Sequence, residues 1–346
     1  MEQGVCNNEF TRDGAISIFR PLRNFIWGNG LPGPVPTELA PAVPPHRSRI
    51  CAVVVSYNIG EAIHRCIDAI QSQVGHVLII DNGSGETTRR ELDELAASDS
   101  VTLILNQRNE GIGHAYNQAV RWARDKGFQW ILTLDHDSEA TPGMIDEMVR
   151  GYAALETAGV RNVGIMAASP FDLNIQKYLY HEPREHGGLP LYQLEVFSSG
   201  SLIWLGVFDV VGPFNEDLFI YFVDIEFCRR LDCAGYVVYM CPEAVLLHRE
   251  GSKEQHRFLW IDACYEHYGK EARYYLSRNT IHFLKKLRPC LHDFAQAATR
   301  LRRDHVNILL FDRDRLPVLW FSLLGIVDGI RGKVGPMGSG DSSRPV

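Results

Sequence analysis

The stretch Trp130-Ile131-Leu132-Thr133-Leu134-Asp135-His136-Asp137 decides the fold, because a mainly apolar run ends there in two aspartates. Such a run is typical of a β-strand that is buried on both faces of a parallel sheet. The two acids follow the carboxyl end of this predicted strand, and open α/β sheets bind their ligands at that edge. The stretch therefore indicates both a fold class and the position of a site.

Asp135 and Asp137 stand two residues apart, so their side chains point the same way in an extended segment. Neighbouring carboxylates repel each other, and a hard divalent cation relieves that repulsion. Such a cation, when it has few protein ligands, is the usual partner of a diphosphate. We therefore expect a metal and a diphosphate here, the alternative being a loop that merely contains two acids.

Strand-like and helix-like segments alternate with short connections on both sides of this stretch. That alternation predicts an α/β fold with a mostly parallel sheet and helices on both of its faces. The predicted strands are Ile50–Ser56, Val77–Ile80, Val101–Leu105, Trp130–Leu134, Val163–Ala168 and Tyr236–Met240. The predicted helices are Glu61–Ser72, Thr87–Ala97, Gly113–Lys126, Pro142–Ala158 and Val223–Ala234. Residues 169–194 are rich in Pro and Gly, which favours a long loop beside the site.

The composition excludes several classes of protein. A net charge of -7 in 346 residues argues against a nucleic-acid binder that relies on bulk charge. The eight cysteines form no CxxC pair, which favours reduced thiols in a cytoplasmic protein over a zinc site. No segment reads as a signal peptide or reaches the roughly 18–20 apolar residues of a transmembrane helix.

The ends of the chain differ in pattern from its middle. The pattern predicts a Pro/Gly-rich extension over residues 1–47 and the α/β domain over residues 48–285. Residues 286–335 predict a helical region, and residues 336–346 a disordered tail. An apolar run from Leu316 to Val327, with Trp320 inside it and basic residues after it, can pack on the domain or lie at a membrane surface.

Polar residues follow the first three predicted strands. Ser56, Tyr57 and Asn58 end the first strand, where Tyr57 can stack on a base. Asp81 ends the second strand, where a carboxylate can accept hydrogen bonds from a base or a ribose, although Asp-Asn-Gly is also ordinary turn chemistry. Arg108 and Gly111 precede a helix whose amino terminus favours a diphosphate. Neither a GxGxxG nor a Walker A sequence is present, which argues against a dehydrogenase and a P-loop ATPase.

Three further segments contain candidate site residues, for an acceptor, for a base and for a metal. Small residues around Ser199 and Gly200 suit the close approach of a sugar, although an ordinary turn has the same composition. Asp224 and Glu226 interrupt an apolar and aromatic stretch, where a carboxylate has a raised pKa and can take a proton from a hydroxyl. His248 ends a short apolar run, so it is a candidate third metal ligand as well as a candidate structural histidine.

In this order, the segments VSYN, IDNGS, NEGIGHAYN, LDHD, SSGS, FVDIEF, H and RN resemble the family 2 glycosyltransferases of GT-A fold. The likeness extends over about residues 50–285 and includes the Gly325–Gly335 segment. Bacterial dTDP-rhamnosyltransferases and the related galactofuranosyltransferases are the most similar groups. Tyr221 departs from the pattern, since many relatives have an aspartate there.

The resemblance assigns roles to these positions. It implies that Ser56, Tyr57, Asn58, Asp81, Arg108, Gly111 and Asp135 bind the nucleotide. It implies that Asp135, Asp137 and His248 hold Mg²⁺ or Mn²⁺, that Asp224 is the catalytic base, and that Glu226, Ser199 and Gly200 contact the acceptor. Arg278 and Asn279 match an Arg-Asn pair of such enzymes whose role is less defined.

The resemblance also implies the reaction. We expect an inverting, metal-dependent transfer of L-rhamnose from dTDP-rhamnose to a saccharide or lipid-linked saccharide in cell-surface polysaccharide synthesis. The expected location is the cytoplasm, with peripheral contact at the inner face of the cell membrane. The alternatives are a transferase that uses a UDP-sugar such as UDP-galactofuranose, and a catalytically silent scaffold that binds nucleotide sugars.

Overall fold

The computed structural model describes residues 42–249, 252–258, 261–286, 291–312 and 314–338. These residues form two units. The sheet unit contains residues 42–216 together with Val223–Arg249. The C-terminal unit contains Asp217–Phe222 and the described residues from 252 onward. Most of the predicted N-terminal extension, residues 1–41, lies outside the described residues.

Ten strands form one mixed sheet in the sheet unit. In chain order they are β1 (Ile50–Ser56), β2 (His76–Asp81), β3 (Val101–Leu105), β4 (Trp130–Asp135), β5 (Glu139–Ala140), β6 (Val163–Asp172), β7 (Lys177–Tyr178), β8 (Leu191–Gln193), β9 (Ser201–Trp204) and β10 (Val237–His248). Along the main path the order is β3-β2-β1-β4-β9-β6-β10-β5, while β7 pairs with β6 and β8 with β10.

The first half of this sheet is parallel. Strands β3, β2, β1 and β4 all run in one direction, and every residue of β1 is buried. The apolar runs of β1 and β4 match this position, because both faces of a central strand are covered. The carboxyl ends of these strands meet at one edge, which confirms that edge as the meeting point of the predicted site segments.

The second half is mixed. Strand β9 runs antiparallel to both β4 and β6, whereas β10 runs parallel to β6. Strands β6 and β10 extend beyond the predicted bounds, because they pair again after an irregularity between Cys241 and Val245. This second stretch of pairing brings His248 opposite Asp172, at the end of β10. The predicted loop 169–194 therefore contains the end of β6 and two short strands.

The helices of the sheet unit agree with the predicted ones to within a few residues, except for the short helix Val207–Val211, which was not predicted. They are α1 (Ile63–Ile70), α2 (Glu86–Leu95), α3 (Ile112–Asp125), α4 (Met144–Thr157), α5 (Val207–Val211) and α6 (Val223–Cys233). Helix α1 is shorter than expected because a 3-10 turn, Gly60–Ala62, precedes it. Its buried residues, Ile63, Cys66, Ile67 and Ile70, follow the spacing of one helical face.

The C-terminal unit begins with a hairpin that the sequence pattern did not predict. Its strands are β11 (Ser252–Phe258) and β12 (Ile261–His267), and its helices are α7 (Lys270–Lys286), α8 (Leu291–Phe311) and α9 (Arg315–Arg331). Among the described helices, none combines the length and the apolar character needed to cross a membrane.

Candidate active site

Asp135, Asp137 and His248 come together at the edge where β4 and β10 end. One ligand atom from each of the three side chains lies within 4.8 Å of the other two. The Nδ1 atom of His248 is 3.8 Å from Oδ1 of Asp137, and the two side chains are 18% and 35% exposed. We call these three residues the acidic cluster. Because β10 is far from β4 in sequence, only the tertiary fold brings the histidine to the aspartates.

The electrostatics of the acidic cluster favour a cation. Burial raises the pKa of Asp135, and the charge of Asp137 raises it further. A positive charge on His248 lowers the pKa of Asp135, which shows that a cation at this point stabilises the carboxylate. Two carboxylates and one imidazole within reach of a single point are a suitable donor set for Mn²⁺ or Mg²⁺.

A chain of hydroxyl groups supports the acidic cluster. Oγ of Ser138 lies 3.1 Å from Nδ1 of His248 and 2.9 Å from Oγ of Ser199. The backbone N–H of Asp135 donates to Oγ of Ser199 over 3.0 Å. Partners of this kind hold metal ligands in their orientation. Ser138 was missed by sequence reasoning, although its position directly after Asp137 was an available signal.

The turn Phe197–Ser201 passes close to the sheet, and Gly200 makes this approach feasible. Gly200 has a φ of +82°, and a Cβ there would lie 3.0 Å from the Leu246 side chain and 3.1 Å from Ala168. Its N–H donates to the Thr133 carbonyl over 2.8 Å. Only glycine combines this φ with this proximity at low cost. The small residues that suggested close approach of a ligand are thus also needed for packing.

Asp224 lies in the first turn of α6, half-buried beside a small, mainly apolar cavity lined by residues that include Val196, Phe214 and Phe227. The backbone N–H groups of Ser198 and Ile225 donate to its two oxygens over 3.2 and 2.9 Å. Burial raises the pKa of Asp224, and these two hydrogen bonds partly oppose the rise.

The turn Phe197–Ser201 joins the two acidic regions. Ser198 donates its N–H to Asp224, while the next residue, Ser199, accepts the N–H of Asp135. The charge of Asp224 also contributes to the raised pKa of Asp135. The acidic cluster and Asp224 therefore belong to one site, in which the carboxylates influence each other.

Tyr116 is a second residue that sequence reasoning missed. Its side chain is completely buried, and its ring packs against Phe214 with centroids 5.3 Å apart. Burial raises the pKa of Tyr116 far above its usual value, and the charges of Asp135 and Asp224 act in the same direction. The phenol is therefore a neutral group within the field of both acidic regions. Its place inside NEGIGHAYN was an available signal.

Glu226 has a different environment from Asp224. It is buried, and both of its oxygens accept hydrogen bonds from Arg230, one turn further along α6, over 2.8 to 3.1 Å. Arg230 also donates to the carbonyls of Val211 and Pro213. This ion pair anchors α6 to the segment after α5. The contact of Glu226 with an acceptor stays a prediction.

The other predicted nucleotide residues lie at the ends of the parallel strands. Ser56 and Asp81 are completely buried, and Asp81 accepts hydrogen bonds from the N–H and the hydroxyl of Ser84. Oδ1 of Asn58 accepts the N–H of Gly85 over 2.9 Å. These hydrogen bonds shape the backbone at the edge of the sheet. They also hold the two carboxylate oxygens of Asp81 in fixed positions.

Tyr57, Arg108 and Gly111 form the more open part of this edge. Tyr57 is 47% exposed, so its ring is available for stacking. Arg108 is exposed, and its guanidinium pairs with Glu110 over 2.8 Å. Gly111 has a φ of +90° directly before α3, and Nδ2 of Asn82 donates to its carbonyl. The structure thus brings the predicted positions to one edge, while their roles toward a nucleotide stay predictions.

Residues 51–197 match the family model described as Glycosyl transferase family 2. This match contains β1 to β8, both aspartates of β4 and its turn, and the start of the Phe197–Ser201 turn. The chain carries a family 2 glycosyltransferase domain.

Curated relatives extend the match beyond that domain. A dTDP-rhamnosyl transferase, RfbF, of Shigella flexneri is 27% identical to this glycosyltransferase over 306 residues, which cover 83% of this chain and 97% of the relative. An N-acetylglucosaminyl-diphospho-decaprenol L-rhamnosyltransferase of Mycobacterium tuberculosis is 24% identical over 239 residues, covering 57% of this chain and 75% of the relative. The predicted likeness to rhamnosyltransferases is therefore confirmed.

A solved structure shows the same fold. The mannosyltransferase PcManGT from Pyrobaculum calidifontis, in complex with GDP-Man and Mn²⁺, has a TM-score of 0.50 and 16% identity. The alignment covers 86% of this glycosyltransferase and 90% of that chain. The predicted GT-A fold is confirmed.

Arg278 and Asn279 of the glycosyltransferase lie in α7 of the C-terminal unit, where both are completely buried. Nδ2 of Asn279 donates to the carbonyls of Leu218, Ile220 and Tyr221, and the Arg278 guanidinium donates to those of Asp217 and Leu218. Three residues of this segment have a positive φ: Phe219, Tyr221 and Phe222. Such backbone is costly and persists only when its surroundings hold it. The Arg-Asn pair supplies that hold.

Proposed function

We propose that this glycosyltransferase inverts the anomeric centre in a metal-dependent transfer of L-rhamnose from dTDP-rhamnose to a saccharide or lipid-linked saccharide. One observation carries the proposal: a single turn, Phe197–Ser201, contacts both a cluster that can hold a cation and a carboxylate suited to accept a proton. A cation can stabilise the leaving diphosphate and a base can accept the proton of the attacking hydroxyl, so the two groups together suit transfer from a nucleotide sugar by displacement.

The acidic cluster fits a divalent cation. Asp135, Asp137 and His248 would hold it, with Ser138 and Ser199 keeping the histidine and the strand end in place. Bound there, Mg²⁺ or Mn²⁺ would stabilise the charge of the leaving diphosphate. The raised pKa of Asp135 supports this assignment, because burial and the charge of Asp137 disfavour its ionised form, and a bound cation would favour that form.

Asp224 acts as the base in this proposal. Its carboxylate accepts the proton of the acceptor hydroxyl while the oxygen attacks the anomeric carbon. The bond from that carbon to the diphosphate oxygen breaks, and its electron pair stays on the diphosphate. One displacement from the opposite side inverts the configuration. The raised pKa of Asp224 increases its basicity, and the Ser198 and Ile225 N–H groups hold it in one orientation.

The choice of donor rests on the relatives. Two proteins named for rhamnosyl transfer match most of this chain or of their own length. In the proposed pocket, Tyr57 stacks on the base, Asp81 accepts from the base or ribose, and Arg108 turns from Glu110 to the diphosphate. The alternatives are a UDP-sugar donor, such as UDP-galactofuranose, and a silent scaffold.

The acceptor and the location follow from the same relatives. A growing cell-surface polysaccharide, free or linked to a lipid, is the proposed acceptor, and one relative is named for a decaprenol-linked substrate. Synthesis from a nucleotide sugar would then take place in the cytoplasm, at the inner face of the cell membrane.

A thermal-shift screen of the full chain tests the donor and the metal together. The ligands are dTDP, UDP, GDP and their sugar conjugates, each with and without Mn²⁺. A ligand that binds only the folded state raises its melting temperature by mass action. We expect the largest shift with dTDP-rhamnose and Mn²⁺, and none for this pair in the Asp137→Asn variant.

Asp93→Asn is the matched control, since Asp93 is exposed on α2 and away from the acidic cluster. A shift confined to UDP compounds would replace the donor assignment with the UDP-sugar alternative. Shifts without turnover of any donor would support the silent scaffold. Product configuration, read by NMR coupling at the new glycosidic bond, tests inversion: a retained configuration would refute the single displacement.

A further inference from the structure

Helix α9 exposes a continuous line of large apolar side chains. Leu316, Trp320, Leu323, Val327 and Ile330 are 79%, 64%, 49%, 40% and 61% exposed. Their spacing of four and three residues places them along one side of the helix. We call these five residues the apolar line. The half-exposed neighbours Leu319, Leu324 and Ile326 widen it on both sides without adding a polar group.

The opposite side of α9 determines which residues face outward. Small residues allow α7 and α9 to pack closely: a Cβ on Gly325 would lie 2.2 Å from the Tyr274 carbonyl oxygen, and one on Gly329 would lie 2.8 Å from that of Arg278. Oγ of Ser322 is 2.7 Å from Oγ of Ser277. Because these contacts orient the helix, the apolar line is a defined surface of the C-terminal unit.

The part of the chain that contains the apolar line is mainly basic. Residues 297–338 contain seven basic and four acidic residues, in a chain whose net charge is -7. Three of the acids are engaged inside the unit: Asp304 pairs with Arg273, Asp312 with His267, and Asp328 with Lys333 and Tyr274. The described basic residues at the surface are Arg300, Arg302, Arg303, Arg315, Arg331 and Lys333.

The net charge of this part of the chain decides between two occupants. Arg315 stands at the amino end of α9 beside the exposed Asp314, and Arg331 stands at its carboxyl end, where Lys333 pairs with Asp328. Because residues 297–338 contain more basic than acidic residues, a second copy would bring two positively charged regions together. An anionic lipid surface instead attracts the excess of cations while its acyl region takes up the apolar side chains.

We propose that the apolar line docks the protein on an anionic bilayer, with α9 parallel to the membrane plane. Seventeen residues give a helix of about 26 Å, and Trp320 lies in its first half with apolar residues on either side. Helices that lie in the interface combine an apolar face with basic residues and often a tryptophan. This surface does not depend on which donor the transferase uses.

Vesicle sedimentation of the full chain tests the docking surface. We expect the protein to pellet with vesicles of equal parts phosphatidylethanolamine and phosphatidylglycerol, and to stay in solution with phosphatidylcholine vesicles. High salt should weaken the binding, because it screens exposed charges. Wild-type protein that pellets equally with both lipids, or with neither, overturns the proposal.

Substitutions on the apolar line distinguish binding through this surface from non-specific adsorption to vesicles. Trp320→Ser combined with Leu323→Gln should reduce the partition coefficient by about tenfold or more, since two large apolar groups no longer enter the interface. Val210→Gln, on α5 of the sheet unit, is the matched control, because Val210 is 44% exposed. Unchanged binding of the double variant overturns the proposal.

Two further measurements cover the other outcomes. If the double variant does not fold, wild-type fluorescence is compared with that of Trp320→Phe, and brominated lipid should quench the Trp320 contribution. Light scattering after size exclusion tests the second-copy alternative. A wild-type dimer that the variants convert to a monomer, without any effect on vesicle binding, would assign the apolar line to self-association.

Discussion

The acidic cluster and Asp224 are two acidic regions that touch the same turn, yet they are built in different ways. Burial raises the pKa of Asp135 and of Asp224 alike. Asp135 has a second carboxylate and an imidazole as its neighbours, whereas Asp224 has two backbone N–H groups. The first arrangement places two carboxylates and an imidazole close together and suits a cation. The second arrangement already holds its carboxylate in place and suits a proton.

Asp224→Asn gives the largest expected difference between the two regions. An amide cannot take the acceptor proton, so turnover should fall by roughly 10²- to 10⁴-fold. Cation-dependent donor binding should stay near normal in this variant, whereas Asp137→Asn should lose it. Steady-state kinetics and donor-induced thermal shifts measure the two effects, with the exposed Asp209→Asn as the control. Near-normal turnover in Asp224→Asn would mean that the base is elsewhere.

Acid should affect turnover and stability in opposite directions at Asp224. The base must be ionised, so kcat should fall as the pH drops through its raised pKa, above the ordinary value of about 3.9. For stability, a raised pKa in the folded state means that stability is lost as pH rises through that value. Asp224→Asn should therefore melt at a higher temperature than wild type at neutral pH.

That difference in melting temperature should shrink as the pH approaches the ordinary carboxyl range, because both proteins are then uncharged at this position. Thermal melts of both proteins across acidic and neutral pH provide the measurement. A variant that melts below wild type at neutral pH would indicate that the two N–H bonds outweigh the cost of burying the charge.

Ser199→Ala should have a smaller effect, and it should fall on the acidic cluster. Its hydroxyl holds the Asp135 N–H and contacts Ser138, which contacts His248. Loss of such a supporting group typically weakens metal binding 10- to 100-fold, and we expect about that loss for Mn²⁺ in a calorimetric titration. Ser98→Ala, at an exposed position, is the control. An unchanged Mn²⁺ affinity would show that the hydroxyl chain does not support the cluster.

Much of the fold was open to prediction from local pattern. The bounds of β3 and β1 agree with the predicted ones, because a short apolar run between turn residues is typical of a β-strand. The antiparallel pairing of β9 and the extension of β10 had no signal in the local sequence, since strand pairing depends on which strands become neighbours in the fold. The hairpin β11–β12 was missed because Ser252–Phe258 is too polar to read as a strand.

The apolar run near the C-terminus shows the same division. Its sequence allowed packing or membrane contact, and the structure of α9 has a side suited to each. Deleting it, as a test of membrane contact, would uncover the surface of α7 that Gly325 and Gly329 approach. Point substitutions on the exposed side avoid that damage.

By itself, the sequence determined the alternating α/β pattern, the edge at which Asp81 and Asp135 lie, and the residue types available for a cation and a proton. These properties follow from side-chain periodicity and from the common direction of parallel strands. Only the tertiary structure decided that His248 completes the acidic cluster, that Ser138 and Ser199 support it, and that Glu226 pairs with Arg230. Those contacts join residues that are distant in sequence, or they depend on how a helix is oriented. The local sequence pattern predicts neither of these.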